Sequence, residues 1–123
     1  MPLYFPPGSG GGGGATPDVV VSVAYAASIT PDLTAGNIFE VGTLTGPITI
    51  NAPTGTLTDG KRIVFRLNQD AIGGRAATWN AVFKFGIDLT APDFSTTPNA
   101  ENRMVFQYRT ANSKWEAVGL ARF

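Results

Sequence analysis

Along much of the chain apolar side chains recur at every second position. In residues 61–68, Ile63, Phe65 and Leu67 alternate with Arg62, Val64, Arg66 and Asn68; in residues 103–109, Met104, Phe106 and Tyr108 alternate with Val105, Gln107 and Arg109. A period of two places one set of side chains on one face of an extended strand, so both segments are predicted to be strands with one buried face. Shorter runs follow the same rule. Phe39 and Val41 share a side in residues 37–41, and Ile48 and Ile50 flank Thr49 in residues 47–51. Residues 19–25 are rich in β-branched side chains, residues 114–121 form a last strand carrying Trp115, and residues 78–85 form a less regular one carrying Trp79, Phe83 and Phe85.

Turn chemistry stands between these runs: Pro31-Asp32, Ala35-Gly36, Pro53-Thr54-Gly55, Asp59-Gly60, Gly73-Gly74, Ala91-Pro92-Asp93 and Ala111-Asn112-Ser113. No segment sustains a helical period. Short strands punctuated this often predict an all-β fold, an antiparallel β-sandwich of jelly-roll type with about seven or eight strands. The strand order is not legible from the pattern.

Composition narrows the chemistry. The chain of 123 residues has neither Cys nor His. That excludes disulfides, thiolate metal sites and thiol nucleophiles, and it removes the commonest general base and metal ligand, so no imidazole-based triad can be built. The expectation is a protein that is not an enzyme and has no cofactor. Nine basic and nine acidic residues cancel, and only 15% of residues are charged, against about a quarter in an average domain. Nothing is basic enough to point to nucleic acid. The longest apolar run, around residues 19–27, is too short for a membrane span and contains Ser22, so no membrane partner is expected. A surface this poor in charge suggests self-association or docking on a larger assembly.

The first 14 residues differ in character. Leu3, Tyr4 and Phe5 lie between Pro2 and the pair Pro6-Pro7, and residues 10–14 are five consecutive glycines. Glycine loses the most backbone entropy on ordering, so the run reads as a flexible tether; no Gly-Lys-Ser/Thr follows it, which argues against a phosphate loop. Aromatic side chains held between prolines are cheap to order on binding. Pro2, Leu3, Tyr4, Phe5, Pro6 and Pro7 are therefore the candidate partner-binding residues, an arm reaching a neighbouring subunit, with residues 15–123 forming the sandwich domain.

Other candidate groups have simpler readings. Asp18, Asp32, Asp59, Asp70, Asp88 and Asp93 stand beside Pro or Gly or at expected strand ends, where Asp initiates turns. Glu40 and Glu116 fall inside strands and are expected to face solvent. Residues 68–75, with Gly73, Gly74 and Arg75, read as a hairpin loop whose glycines supply positive φ, the alternative being an anion site. Trp79, Phe83, Phe85 and Trp115 are expected to fill the core, a sugar-stacking platform being the alternative.

From about Gly36 onward the chain resembles a domain repeated among bacteriophage structural proteins. The likeness is carried by Ala52-Pro53-Thr54-Gly55, Thr58-Asp59-Gly60, Gln69-Asp70 to Gly73-Gly74-Arg75, Thr78-Trp79-Asn80 and Ser113-Lys114-Trp115. It implies a trimer-prone β-sandwich of the virion, in tail fibres or in capsid decoration proteins, with no catalytic residue to carry over. The chain begins with Met and ends just after its last predicted strand, as a complete short protein would. That, with the tethered arm, favours a capsid cement protein: a homotrimer bound to the major capsid protein on the capsid surface, stabilising the lattice by multivalency. The second reading is a receptor- or carbohydrate-binding module of a tail fibre or tail tip.

Overall fold

A computed structural model describes residues 18–87 and 95–123. Those residues form nine strands and no helix: β1 (Val20–Val23), β2 (Ser28–Ile29), β3 (Ile38–Val41), β4 (Ile48–Ile50), β5 (Arg62–Asn68), β6 (Ala77–Trp79), β7 (Phe83–Lys84), β8 (Glu101–Arg109) and β9 (Lys114–Arg122). They make a six-stranded sheet in the order β1-β3-β5-β8-β9-β7 and a three-stranded sheet in the order β2-β4-β6.

The expected all-β, two-sheet architecture is present, but its strand pairing is mixed, not antiparallel, and its path is not that of a jelly roll. From β1 to β6 the chain alternates between the sheets, and every pairing it makes there is parallel: β1 with β3, β3 with β5, β2 with β4, β4 with β6. The chain is thus wound in coils, each laying one strand on either sheet. Val20 lies opposite Ile38 and Ile38 opposite Val64, so the links are long enough for the dozen or more residues that a parallel return requires. Turn residues mark where such a link bends; they do not say whether the next strand pairs with the last one or crosses to another sheet. Only β8 and β9 reverse the chain, β8 running antiparallel to β5 and β9 antiparallel to β8, with β7 parallel to β9 at the far edge. Residues 78–85 are accordingly split between the sheets.

The period-two pattern chose the buried face. Phe39, Val41, Ile63, Phe65, Leu67, Met104, Phe106 and Trp115 all join one core with Ile29, Ile48 and Ile50 of the smaller sheet. Phe65 is at its centre. Its ring stacks on Phe39 at 5.9 Å and meets Trp79, Phe83 and Phe106 edge-on at 5.4, 5.8 and 6.0 Å. These edge-to-face contacts add to the gain from removing apolar area from water. Asn102, fully buried on the inner face of β8, is held by its own bonds: its Oδ1 accepts from the Ser95 N–H at 2.8 Å and its Nδ2 donates to the Ser95 carbonyl at 3.0 Å. Phe65→Ala is expected to destabilise the protein by about 3–5 kcal/mol, the range for truncating a well-packed core aromatic; urea unfolding followed by tryptophan fluorescence measures it, and a loss under about 1 kcal/mol would contradict a core organised around this ring.

Candidate functional site

Two polar regions lie at opposite ends of the six-stranded sheet, and their electrostatics differ. At the end where β5 finishes, residues 68–75 carry the chain across to β6 in the other sheet, so this segment is a crossover and not the expected hairpin. Its glycines do supply positive φ, 74° at Gly73 and 77° at Gly74. A Cβ on Gly73 would stand 2.6 Å from the Thr96 carbonyl oxygen, so glycine is required there for space as well as for φ. The anion-binding geometry exists, but the chain fills it itself. Asp70 Oδ1 accepts the Ile72 and Gly73 N–H groups at 3.1 and 2.8 Å, and Arg75 Nη2 donates to Asp70 Oδ2 at 2.8 Å. The Arg75 guanidinium, followed by the Gly73 N–H, holds the Asp70 carboxyl below the usual carboxylate range. Gln69, buried, clamps the same loop by exchanging two bonds with the Arg75 backbone.

The opposite end stays open. There the links entering β3 and β5 run side by side with the start of β1 and enclose a groove of about 610 Å³. Its apolar lining includes Leu33 and Val19; its polar groups come from Asp18, Asn37, Asp59, Lys61 and Arg62. Local bonds fix the walls. Asp32 Oδ1 accepts both the Thr34 N–H and hydroxyl, at 2.9 and 2.6 Å, turning the chain into the groove wall. Asn37 bridges Asp18 and the Val19 N–H, and Asp59 Oδ1 accepts the Thr110 N–H at 2.9 Å. Asp59 Oδ2 and the Arg62 guanidinium have no protein partner among the described residues. Carboxylate acceptors and a guanidinium fork beside apolar lining residues suit a ligand that both donates and accepts hydrogen bonds through closely spaced groups, as vicinal hydroxyls do.

The remaining candidates fall as follows. Trp115 and Phe83 are core residues, 1% and 5% exposed. Trp79 and Phe85 are half-buried against them, with Trp79 at 5.3 Å from Phe83 and 6.0 Å from Phe85. These four side chains pack inward and form no sugar platform. Glu40 and Glu116 are on the outer face, half-buried: Glu40 pairs with Arg66 at 3.2 Å and accepts from Asn68, and Glu116 accepts from Asn112. Among the described residues no three His, Cys, Asp or Glu side chains converge as a metal site would need. Asp88, Asp93 and the arm residues Pro2, Leu3, Tyr4, Phe5, Pro6 and Pro7 lie outside the described residues. The groove itself was invisible in the sequence, since it needs the coil to bring residues 33–37 beside residues 58–62. Its only trace there is the pair of turn signals Ala35-Gly36 and Asp59-Gly60.

A second surface is legible only from the strand register. Val20, Ile38, Val64, Val105 and Gly119 fall opposite one another on successive strands. They form an uncharged row across the outer face of the large sheet. The next row reads Ser22, Glu40, Arg66, Arg103 and Ala121, with its Glu40 and Arg66 joined to each other and Arg103 joined to Glu101.

The sequence profile of a family described as "Putative phage tail fibre C-terminal domain" matches residues 29–109, about two-thirds of the chain. No curated protein and no solved structure shows a significant match. The matched span runs from the end of β2 to the end of β8 and includes both the groove-forming links and the Asp70–Arg75 crossover. A carboxylate whose pKa is lowered by folding contributes stability that is complete above its unfolded pKa and lost as pH falls through the folded one. Thermal unfolding of the protein and of Asp70→Asn should therefore differ most at pH 7, the variant melting lower, and the gap should close below about pH 4; an equal gap at pH 7 and pH 2 would rule out the ion pair as its source.

Proposed function

The chain belongs to the phage tail fibre C-terminal domain family, and from that premise we propose that it is a trimeric, non-enzymatic module of a tail fibre that meets the host surface through its open groove. Family membership makes it a structural protein of the phage virion. The observation that carries the finer reading is the match itself, because a fibre's C-terminal domain is placed to meet what the fibre binds. The groove supports it: polar, lined by both charge signs, and built by two links of the matched region. A saccharide of the cell envelope is the ligand class that fits those groups.

The low surface charge, which suggests self-association or docking on a larger assembly, does not by itself select the capsid cement reading. The low charge serves a fibre equally well, because fibre subunits pack on one another. The uncharged row on the outer face is the surface we assign to that packing, since a threefold axis needs a patch that can be buried without stranding charges. On one side of that row Glu40 with Arg66 and Glu101 with Arg103 are already paired within the chain, which lowers the cost of covering them.

Two measurements test this reading. Purified protein added before infection should compete with phage for adsorption to host cells, and Arg62→Glu should weaken that competition by about tenfold or more, corresponding to roughly 1.4 kcal/mol, with the melting temperature unchanged; equal competition by the variant would contradict the groove, and no competition by the unaltered protein would contradict receptor binding. In sedimentation equilibrium the protein should be a trimer and Val64→Asp a monomer; a monomer at high concentration without substitution would overturn the oligomer and its interface together.

A further inference from the structure

The smaller sheet repeats one short pattern on each of its strands. Ser28-Ile29-Thr30, Thr49-Ile50-Asn51 and Thr78-Trp79-Asn80 each set an apolar side chain between two short, uncharged polar ones. Parallel pairing brings the copies into register: Ser28 lies opposite Thr49 and Thr49 opposite Thr78, with Ile29, Ile50 and Trp79 in line beside them. The ladder continues through the last residue of each copy. The Asn51 N–H donates to the Ile29 carbonyl and the Asn80 N–H to the Ile50 carbonyl, both at 2.9 Å. Ile29 and Ile50 belong to the core, and Trp79 packs against it. Alternation then turns the flanking positions to the outer face. They make a row of hydroxyls, Ser28, Thr49 and Thr78, and beside it a row of Thr30, Asn51 and Asn80. Ser28, Thr30, Thr78 and Asn80 are exposed, with Thr49 and Asn51 half-buried between them.

We propose that this array is a binding face for a neutral polysaccharide, separate from the groove, with the sugar chain lying across the three strands. The ligand class follows from the groups presented. None of the array's side chains is charged, and Ala26, Pro47 and Ala76, the exposed residues two positions before each hydroxyl, are uncharged too. Hydroxyls and amides both donate and accept, as sugar hydroxyls do. The core of a protein interface draws instead on aromatic residues, Met and Arg, and is poor in Ser.

Spacing and order agree with a repeating ligand. Neighbouring strands lie about 4.7–4.9 Å apart, close to the length of a pyranose ring, so the hydroxyl row offers similar groups to successive sugars. Internal bonds hold the groups in place before any ligand arrives. Asn51 Nδ2 donates to Ser28 Oγ at 2.7 Å and to Thr30 Oγ1 at 3.1 Å, and each of those hydroxyls keeps its own proton to give. Asn80 Oδ1 accepts the Val82 N–H at 3.0 Å, fixing the amide at the other edge. Groups ordered in advance cost less entropy on binding. Because the core lies between the sheets, this face points away from the row through Val64. A trimer packed on that row would present the array on its outside in each subunit, and linked weak sites reinforce one another. The face itself depends on neither the trimer nor the groove.

Affinity electrophoresis of the full chain tests this, in native gels containing a neutral galactomannan, a neutral glucan or the acidic polymer alginate. At least one neutral polymer should retard the protein. Thr49→Val with Thr78→Val keeps shape and strand preference while exchanging each hydroxyl for a methyl group. It should raise the apparent Kd for that polymer about tenfold or more, as loss of two hydrogen bonds would, with melting temperature and sedimentation unchanged. Arg62→Glu, in the groove, should be retarded like the unaltered protein. Retardation by neither neutral polymer, by alginate alone, or equally for the double variant would overturn the proposal. Loss of retardation in Arg62→Glu would assign the binding to the groove instead, and a changed oligomeric state in the double variant would make the face a contact between copies.

Discussion

The Phe65 ring holds the two sheets in one structure. It touches a partner on its own sheet in each direction, Phe39 and Phe106, and reaches Trp79 of the smaller sheet and Phe83 of the edge strand. The wound half of the chain and its antiparallel half therefore share one packing centre. Each coil must arrive in the register that sets an apolar side chain against this ring, because a slip of one residue would exchange the buried and exposed faces of a whole strand. The links can then vary in length, since the strands and not the links carry the register. Surface links freed from packing are where a binding groove can form at little cost to the core.

Sequence pattern reached the core and stopped at the pairing. Ile63, Phe65 and Leu67 in β5, and Met104, Phe106 and Tyr108 in β8, were assigned to the buried face because alternation is a local property of a strand. Which strand lies beside which is non-local. The turn residues around Gly36, Gly55 and Gly74 look the same whether a chain folds back on itself or crosses to the other sheet. Residues 68–75 illustrate both sides of this. Positive φ at the glycines was legible because only glycine adopts it freely; the closure of the site by Asp70 and Arg75 depended on a loop shape set by Thr96 and Pro98, more than twenty positions away. The groove was harder still, as none of its walls forms without the coil.

The low charge noted in the sequence gains a location in the structure. It is concentrated in the row through Val64 and Val105, where neighbouring strands set uncharged residues opposite one another, while Glu40 with Arg66 and Glu101 with Arg103 neutralise each other alongside. The groove gathers the less fully satisfied polar groups at the end of the sheet. A division of this kind, with one face suited to self-association and one end suited to a polar ligand, matches a subunit that assembles sideways and binds endwise. On the proposed reading His and Cys are not needed, because recognition of this kind uses fixed hydrogen-bonding groups and no titrating nucleophile.

The central claim, a subunit of a tail fibre and not of the shell surface, is tested most directly by counting. Quantitative mass spectrometry of purified particles, referenced to the major shell protein, gives the number of copies per virion. The account predicts a small number, divisible among a few trimeric fibres; copies in simple proportion to the shell protein would contradict it and return the protein to the capsid lattice.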